Sequence, residues 1–564
     1  MKLKYSFLIL FCTLLMTIGY ATVSSITLGI QGIAVAQSND KLFITQTKYK
    51  SNNNANIEDS KITYVYNTLL NSSISLSKTD ATSSITYEIT IHNNSDFYYV
   101  YKGYIYEEEC YSNENIIIEV SDNLTEGYIL KDKTSITFTI TYKYKDGINI
   151  NNTDNILNSI IKFKFHYIDK ILNLSDPQFD STGMIPITIS NNGSVKTADL
   201  EEDWYNYSEK RWANIALVKS SARHKYLGVE SVDVTTSDIL AYFVWIPRFK
   251  YKIWSISGSS SSSPQTIDIV FENKDTITNG TKVGDYITHK AFWWDDNNNE
   301  TRNIGEELSG IWVGKFELSN NSDNNPTILP NKSSLVSQTI SKQFETVLKL
   351  SGGTINTSTG AVAHSGSDIY GLAPTTNSHM IKNIEWGAMA YLSHSKYGIG
   401  KEIRINNYYN SAFKTGCGAS SNNAATSTTC SIEYGNATTY PQSTTENITG
   451  IFDTSGGGWD RVMANYNKVK GDYEFASLPE RKYYDLFNLS SLSACTLEIC
   501  GGQALYETSE WYSDLSNFIS TNTYPWIVRS GGYGDKTTAG IFNFGRNAGQ
   551  STNLSTTRAV LITK

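Results

Sequence analysis

Asn447-Ile448-Thr449-Gly450-Ile451-Phe452-Asp453-Thr454-Ser455-Gly456-Gly457-Gly458-Trp459-Asp460 is the stretch on which the reading of this chain turns. Three glycines run into a tryptophan. Glycine takes up positive φ at no steric cost, so Gly456-Gly457-Gly458 supplies the backbone freedom that a tight turn beside a packed aromatic requires. The composition around it differs from the rest of the chain. All 11 tryptophans lie beyond position 200, and glycine is also denser there. The shift marks a second domain over 201–564.

Four further segments flank this one. The first is Ile311-Trp312-Val313-Gly314-Lys315-Phe316-Glu317-Leu318-Ser319. The second is Met380-Ile381-Lys382-Asn383-Ile384-Glu385-Trp386-Gly387-Ala388-Met389-Ala390-Tyr391-Leu392. In it Trp386 and Ala390 are four apart and Ala388 and Tyr391 three apart, so each pair shares a helix face. In the last two segments, Val528-Arg529-Ser530-Gly531-Gly532-Tyr533 and Ser555-Thr556-Thr557-Arg558-Ala559-Val560-Leu561, the parts Val528-Arg529 and Ala559-Val560-Leu561 read as buried strand. Arg529 and Arg558 are read as structural arginines that satisfy carbonyls and carboxylates.

Taken in order, these segments resemble the formylglycine-generating-enzyme (sulfatase-modifying-factor) family, a branch of the C-type lectin fold. The stretch quoted first is similar in spacing to the family's Asn-x-x-Gly-Leu-Tyr-Asp-Met-x-Gly-Asn-Val-Trp-Glu, and the two terminal segments to its Arg-Gly-Gly-Ser-Trp and Gly-Phe-Arg strands. The resemblance covers a core of 240–564 and implies an α+β, C-type-lectin-like domain. It departs from the enzymes where their chemistry lies. They carry two copper-binding cysteines between the Arg-Gly-Gly strand and the chain end, whereas Gly534–Lys564 holds no cysteine. A thiol-dependent oxidase has no thiolate ligands here, so no catalytic residue is assigned. The Leu-Pro-Thr-Glu-x-Glu-Trp helix is also missing. Ser477-Leu478-Pro479-Glu480-Arg481 echoes it out of order.

The resemblance further implies a structural calcium held by the Asn447 side chain and the Ile448 and Gly450 carbonyls, the alternative being that Asn447 caps a turn. By analogy with ligand-binding relatives, it puts the recognition surface on the last strands and their loops, roughly Tyr533 to Thr557. The residues themselves add a local reason, since Tyr, Phe, Arg and Asn mixed with Gly stack and hydrogen-bond at a surface without forming a core. Tyr533, Asn543, Phe544, Arg546 and Asn553 are the candidates.

Before position 170 the pattern is different. Lys41–Thr47, Ile62–Tyr66, Ile85–Ile91, Tyr98–Ile105, Ile116–Val120, Ser135–Tyr144 and Ile160–Ile168 are short β-type runs between polar turns. Thr86-Tyr87-Glu88-Ile89-Thr90-Ile91 alternates with period two. About seven such strands predict an immunoglobulin-like β-sandwich over 22–170. The polar stretch 171–200 reads as a linker. The whole chain is thus expected to be mainly β, with an α+β C-terminal domain.

Lys2 and Lys4 precede an uncharged apolar run from Tyr5 to Tyr20, and Gly19-Tyr20-Ala21 offers a small-x-small cleavage site. Residues 1–21 are therefore a secretory signal peptide or an uncleaved membrane anchor. Either reading places the rest outside a bacterial cell, secreted or on its surface. The cysteines fit export. Cys417 and Cys430 are 13 apart and Cys495 and Cys500 five apart, so two local disulfides are expected. The larger loop would contribute on the order of 3 kcal/mol. Cys110 has no obvious partner.

A net charge of −8, without long runs of one sign, excludes nucleic acid as a partner, because no basic stripe is there to neutralise phosphates. No HExxH, P-loop or GxSxG occurs. His379 and His394 read as core or surface histidines. Asp295 and its neighbours read as a solvated loop rather than a calcium site, for want of EF-hand spacing. The function expected is binding of a protein or glycan through the C-terminal domain. The alternatives are an oxidoreductase or other enzyme on this fold, and a structural surface fibre.

Overall fold

The computed structural model describes residues 41–563 apart from 65–67, 96, 107–112, 151–154, 169–172, 181, 254–263, 282–283, 321–324, 407–431, 471–474, 490 and 519–521. The candidate signal or anchor segment lies outside the described residues, as do Cys110, Cys417 and Cys430. Among the described residues no helix is long and apolar enough to cross a membrane. The chain forms two compact units, one of residues 1–168 with 200–202 and one of 169–199 with 203–564. Both are mainly β.

The first unit holds two antiparallel sheets, one of four strands and one of five. Alternation builds them. In Ser84–Asn93 every second residue is buried, which sends Ile85, Tyr87, Ile89 and Ile91 inward. On the other face threonines pair across strands, Thr86 with Thr141 at 2.9 Å and Thr90 with Thr137 at 2.8 Å. Phe138 and Phe163, from the two sheets, meet edge to face with centroids 5.1 Å apart. Two strands that the sequence does not announce complete the unit, Leu69–Ser75 and Ile129–Leu130.

The second unit is centred on an eight-stranded sheet. Its order is Asp233–Val234, Val195–Thr197, Met184–Ile189, Asn214–Val218, Ile239–Pro247, Gly310–Gly314, Ala559–Ile562 and Asn377–Met380. Ile239–Pro247 is buried at all nine positions, as a strand covered on both faces has to be. This corrects the reading of 171–200 as a linker. Met184–Ile189 and Val195–Thr197 form a hairpin that pairs with Asn214–Val218. The polar turn between them dilutes the pattern in sequence.

A second sheet runs in the order Asp485–Phe487, Trp459–Tyr466, Trp526–Ser530, Gly540–Asn547, with Ser555–Thr557 beside Trp459–Tyr466. The segments singled out in sequence meet where these sheets adjoin. Trp312 pairs with Leu561, Asp460 with Arg529, and Arg461 with Thr557. The helix Asn383–Ser393 is buried along its whole length. A Cβ on Gly387 would sit 1.8 Å from the Gly502 carbonyl oxygen, so this close approach requires glycine.

Candidate ligand-binding surface

The five residues proposed from sequence do not lie together. Asn543 and Phe544 are 2% and 0% exposed, which corrects their reading as surface contacts. Asn543 donates to the Thr538 carbonyl at 2.5 Å. The strand Gly540–Asn547 ends the sheet, yet it is covered. Phe544 N donates to Leu515 O and Asn517 N to Phe544 O, both at 2.9 Å, so the segment around Leu515 pairs with its outer edge. Trp386 Nε1 donates to Ile541 O at 2.8 Å from the helix below. An apparently mixed polar stretch is thereby taken into the core.

Arg546 and Tyr533 are accessible but stand at opposite ends of this ladder. Arg546 pairs with Ile527, and Tyr533 follows Ser530, which pairs with Gly540. Ile527 and Ser530 are three residues apart, about 10 Å along the strand at about 3.3 Å per residue. Arg546 is exposed, and its guanidinium lies 4.9 Å above the Tyr524 ring.

At the Tyr533 end the chain assembles a different group. Trp459 N donates to Leu554 O at 2.8 Å, and Tyr533 N to Gly457 O at 2.8 Å. Trp459 Nε1 donates to Asp535 Oδ2 at 2.6 Å, and the same oxygen accepts from Gly532 N at 2.7 Å. A Cβ on Gly532 would lie 2.2 Å from Trp459 Nε1, so this glycine lets the indole seat. Trp459, Tyr533, Asp535 and Asn553 are half-buried, and Leu554 is 41% exposed. Two aromatic residues, a fixed carboxylate and an amide are thus brought to one end of the sheet, the edge where the strand Trp459–Tyr466 begins. Trp459 and Asp535 are the members that sequence reasoning passed over. The Gly-Gly-Gly-Trp signal was read for the turn it makes and not for the ring it presents.

Behind this edge, Glu317 Oε1 accepts from Gly458 N at 3.0 Å. Glu317, Asp453 and Asp460 are fully enclosed near Arg558, and burial pushes all three carboxyls above their ordinary range. Arg558 donates to Gly314 O at 2.8 Å, Phe452 O at 3.0 Å and Asp460 Oδ2 at 3.2 Å. Arg529 donates to Ala504 O at 3.0 Å and lies 5.7 and 5.6 Å from the Trp386 and Phe544 ring centroids. Both arginines are buried within the unit. His379 and His394 are buried too. His379 Nε2 lies 3.0 Å from Glu385 Oε1, and His394 packs on Trp511 and Phe542.

The expected calcium ligands have other partners. Asn447 Oδ1 accepts from Thr449 N at 2.8 Å, Thr449 Oγ1 at 2.7 Å and Thr445 Oγ1 at 3.0 Å, the arrangement of a turn cap. The Ile448 and Gly450 carbonyls each accept from Lys315 Nζ at 2.7 Å.

Two expectations about 295–306 also need correction. Residues 296–300 are exposed, as that reading has it, but Asp295 itself is not solvated. It is 4% exposed and accepts from Asn299 N at 3.0 Å and Glu300 N at 2.9 Å. Nor is the spacing absent, because Asp295, Asn297, Asn299, Asn303 and Glu306 occupy the first, third, fifth, ninth and twelfth places of a calcium loop. Glu300 stands at the sixth place, where glycine is usual, with φ of 55°. Backbone amides account for the Asp295 carboxylate without an ion.

Cys495 and Cys500 are bonded, with Cα atoms 5.6 Å apart. They close the loop before Gly502, whose amide donates to Glu507 Oε2 at 3.0 Å and whose carbonyl accepts from His289 Nε2 at 2.9 Å. Glu507 also accepts from the Tyr251 hydroxyl at 3.0 Å and from the Tyr391 hydroxyl. Burial pushes its carboxyl up to about 7. Among the described residues no three Asp, Glu, His or Cys side chains are grouped to hold a metal.

No protein-family model matches this chain, and no curated protein matches it.

Proposed function

We propose that this is a secreted or cell-surface binding protein of bacterial type. Its second unit is read as a C-type-lectin-like domain related to formylglycine-generating enzyme but without that enzyme's chemistry, and its first unit as an immunoglobulin-like sandwich. The observation that carries the proposal is the edge built by Trp459, Tyr533, Asp535 and Asn553. Aromatic rings held by a sheet lose little freedom on binding, and a carboxylate already fixed by two donors costs little to order. Side chains of this kind, grouped on a rigid scaffold, are the usual anchors of recognition. The ligand is a protein or a glycan.

The test is a screen of the purified chain against glycans and proteins, followed by Trp459→Ala and Tyr533→Ala. Each substitution should weaken binding about 30-fold, equivalent to about 2 kcal/mol; Tyr533→Ala should leave the unfolding midpoint in place, whereas Trp459→Ala, which also removes the bond to Asp535, should lower it while the protein stays folded. An identified ligand that binds both variants with unchanged affinity would place the site elsewhere.

A further inference from the structure

Lys315 directly follows the strand Gly310–Gly314 and is 0% exposed. Its ammonium donates to three oxygens, Ile448 O and Gly450 O at 2.7 Å and Asn214 Oδ1 at 2.9 Å. The three come from two distant parts of the chain. Asn214 cannot turn its oxygen away, because its Nδ2 already donates to Trp212 O at 2.9 Å and Thr449 O at 2.8 Å. The Phe452 ring centroid lies 5.6 Å from Nζ and covers another side. Among the described residues no carboxylate forms an ion pair with Lys315. Neutral oxygens and a ring face therefore do the work of a counter-ion.

Burial pulls the Lys315 pKa well below its ordinary value. The geometry opposes that pull. A neutral amine has two hydrogens and a lone pair, and the lone pair would face the third oxygen, whereas an ammonium has a hydrogen for each. Three oxygens at 2.7 to 2.9 Å are the contacts of an ammonium-sized monovalent ion.

We propose that Asn214, Ile448 and Gly450 form a preorganised site for a small monovalent cation, and that the chain fills it with its own tethered ammonium. The loop at Asn447–Gly450 is then held to the strands Asn214–Val218 and Gly310–Gly314 without any metal ion. Removing the tether leaves a socket of alkylammonium shape, in which Ile448 O keeps the Tyr434 hydroxyl at 3.1 Å while Gly450 O and Asn214 Oδ1 lose free energy unless something donates to them or a cation takes the place.

The test is chemical rescue of the full-length chain. Lys315→Ala lacks the three carbons and the nitrogen of propylammonium. Melting is compared in sodium, potassium, ammonium and propylammonium chloride at equal ionic strength. The wild type should melt alike in all four relative to a surface-lysine control variant. Lys315→Ala should melt several degrees lower in sodium and regain at least half of that loss in millimolar propylammonium. Lys315→Met fills the channel with an apolar stem, and should be destabilised and not rescued. If Lys315→Ala does not fold in sodium, the refolded yield with and without propylammonium gives the same readout. Wild-type stability in Lys315→Ala or Lys315→Met, or a Lys315→Ala loss that no cation relieves beyond sodium, would overturn the proposal.

Discussion

Phe544→Ala separates a core reading of the last strands from a surface reading. The ring is 0% exposed, in a strand whose residues Gly540–Gly545 are all buried. Truncating a fully buried phenylalanine costs about 3 to 5 kcal/mol in lost transfer energy and cavity. A second loss adds to it. Arg529 Nε and Nη1 have no hydrogen-bond partner among the described residues, so the Trp386 and Phe544 rings add to what the Ala504 carbonyl and the nearby Asp514 supply to the guanidinium. A desolvated contact of this kind is worth about 1 to 2 kcal/mol. Together the substitution should cost about 4 to 7 kcal/mol, a large part of a typical folding free energy. Urea unfolding followed by tryptophan fluorescence is the assay, because all 11 tryptophans lie beyond position 200 and report on the second unit alone. If Phe544→Ala unfolds at the wild-type urea concentration yet loses affinity for an identified ligand, the ring acts at the surface and the burial argument is wrong.

Three further outcomes follow from the same geometry. Glu507 has its folded pKa raised from an ordinary 4.5 to about 7, so its contribution is fully present below pH 4.5 and is lost as pH rises through 7, on the order of 3 kcal/mol in all. Glu507→Gln should therefore gain stability relative to wild type between pH 5 and pH 8 in paired melting curves, and a difference independent of pH would contradict the shift. Reducing Cys495–Cys500, which closes a short loop, should cost about 2 kcal/mol in the chain-entropy model, and equal melting of the reduced and oxidised protein would show that the loop is held by other contacts. Arg546→Ala should change stability by less than about 0.5 kcal/mol, because its partner Tyr524 is itself 39% exposed, and a larger loss by urea unfolding would mean the pair is structural.

What the sequence made legible was regular burial. The strand Ser84–Asn93 alternates strictly because one face meets the core and one meets threonines across the sheet. Ile239–Pro247, an apolar run covered on both faces, was not read as a strand, because it has no alternation to mark it. Leu69–Ser75 was hidden by its Asn and Ser residues, which read as turn chemistry. In the sheet Ser72 instead pairs its hydroxyl with Ser159 at 2.6 Å. Asn543 and Phe544 were misplaced for a related reason. Their strand is covered by the segment around Leu515, a contact set by tertiary packing and invisible in local pattern. Trp459 was legible as a residue and illegible as a site, because its exposure depends on Gly532 and Asp535, more than 70 positions away.

The path of the segment Asn447–Asp460 is fixed by buried ionisable side chains as well as by apolar contact. Lys315 and Glu317 are two apart. Lys315 takes the carbonyls of Ile448 and Gly450, and Glu317 takes the amide of Gly458. Between these points Arg558 takes the carbonyls of Phe452 and Asp453, and Phe452 N donates to Lys315 O at 2.8 Å. Every few residues a buried cation or carboxyl fixes one backbone group. A glycine-rich loop held only by apolar packing would slide at small cost, since Gly456 and Gly457 offer no side chains to register it. Directional bonds to groups that cannot be left unpaired in the core remove that freedom. They also make the segment sensitive to the loss of any one partner. Trp459 follows directly from the last of these fixed points. Its ring is therefore positioned by Glu317 and Arg558 from within and by Asp535 from the edge, so the candidate surface at Trp459 is braced by the hydrogen-bond network beneath it.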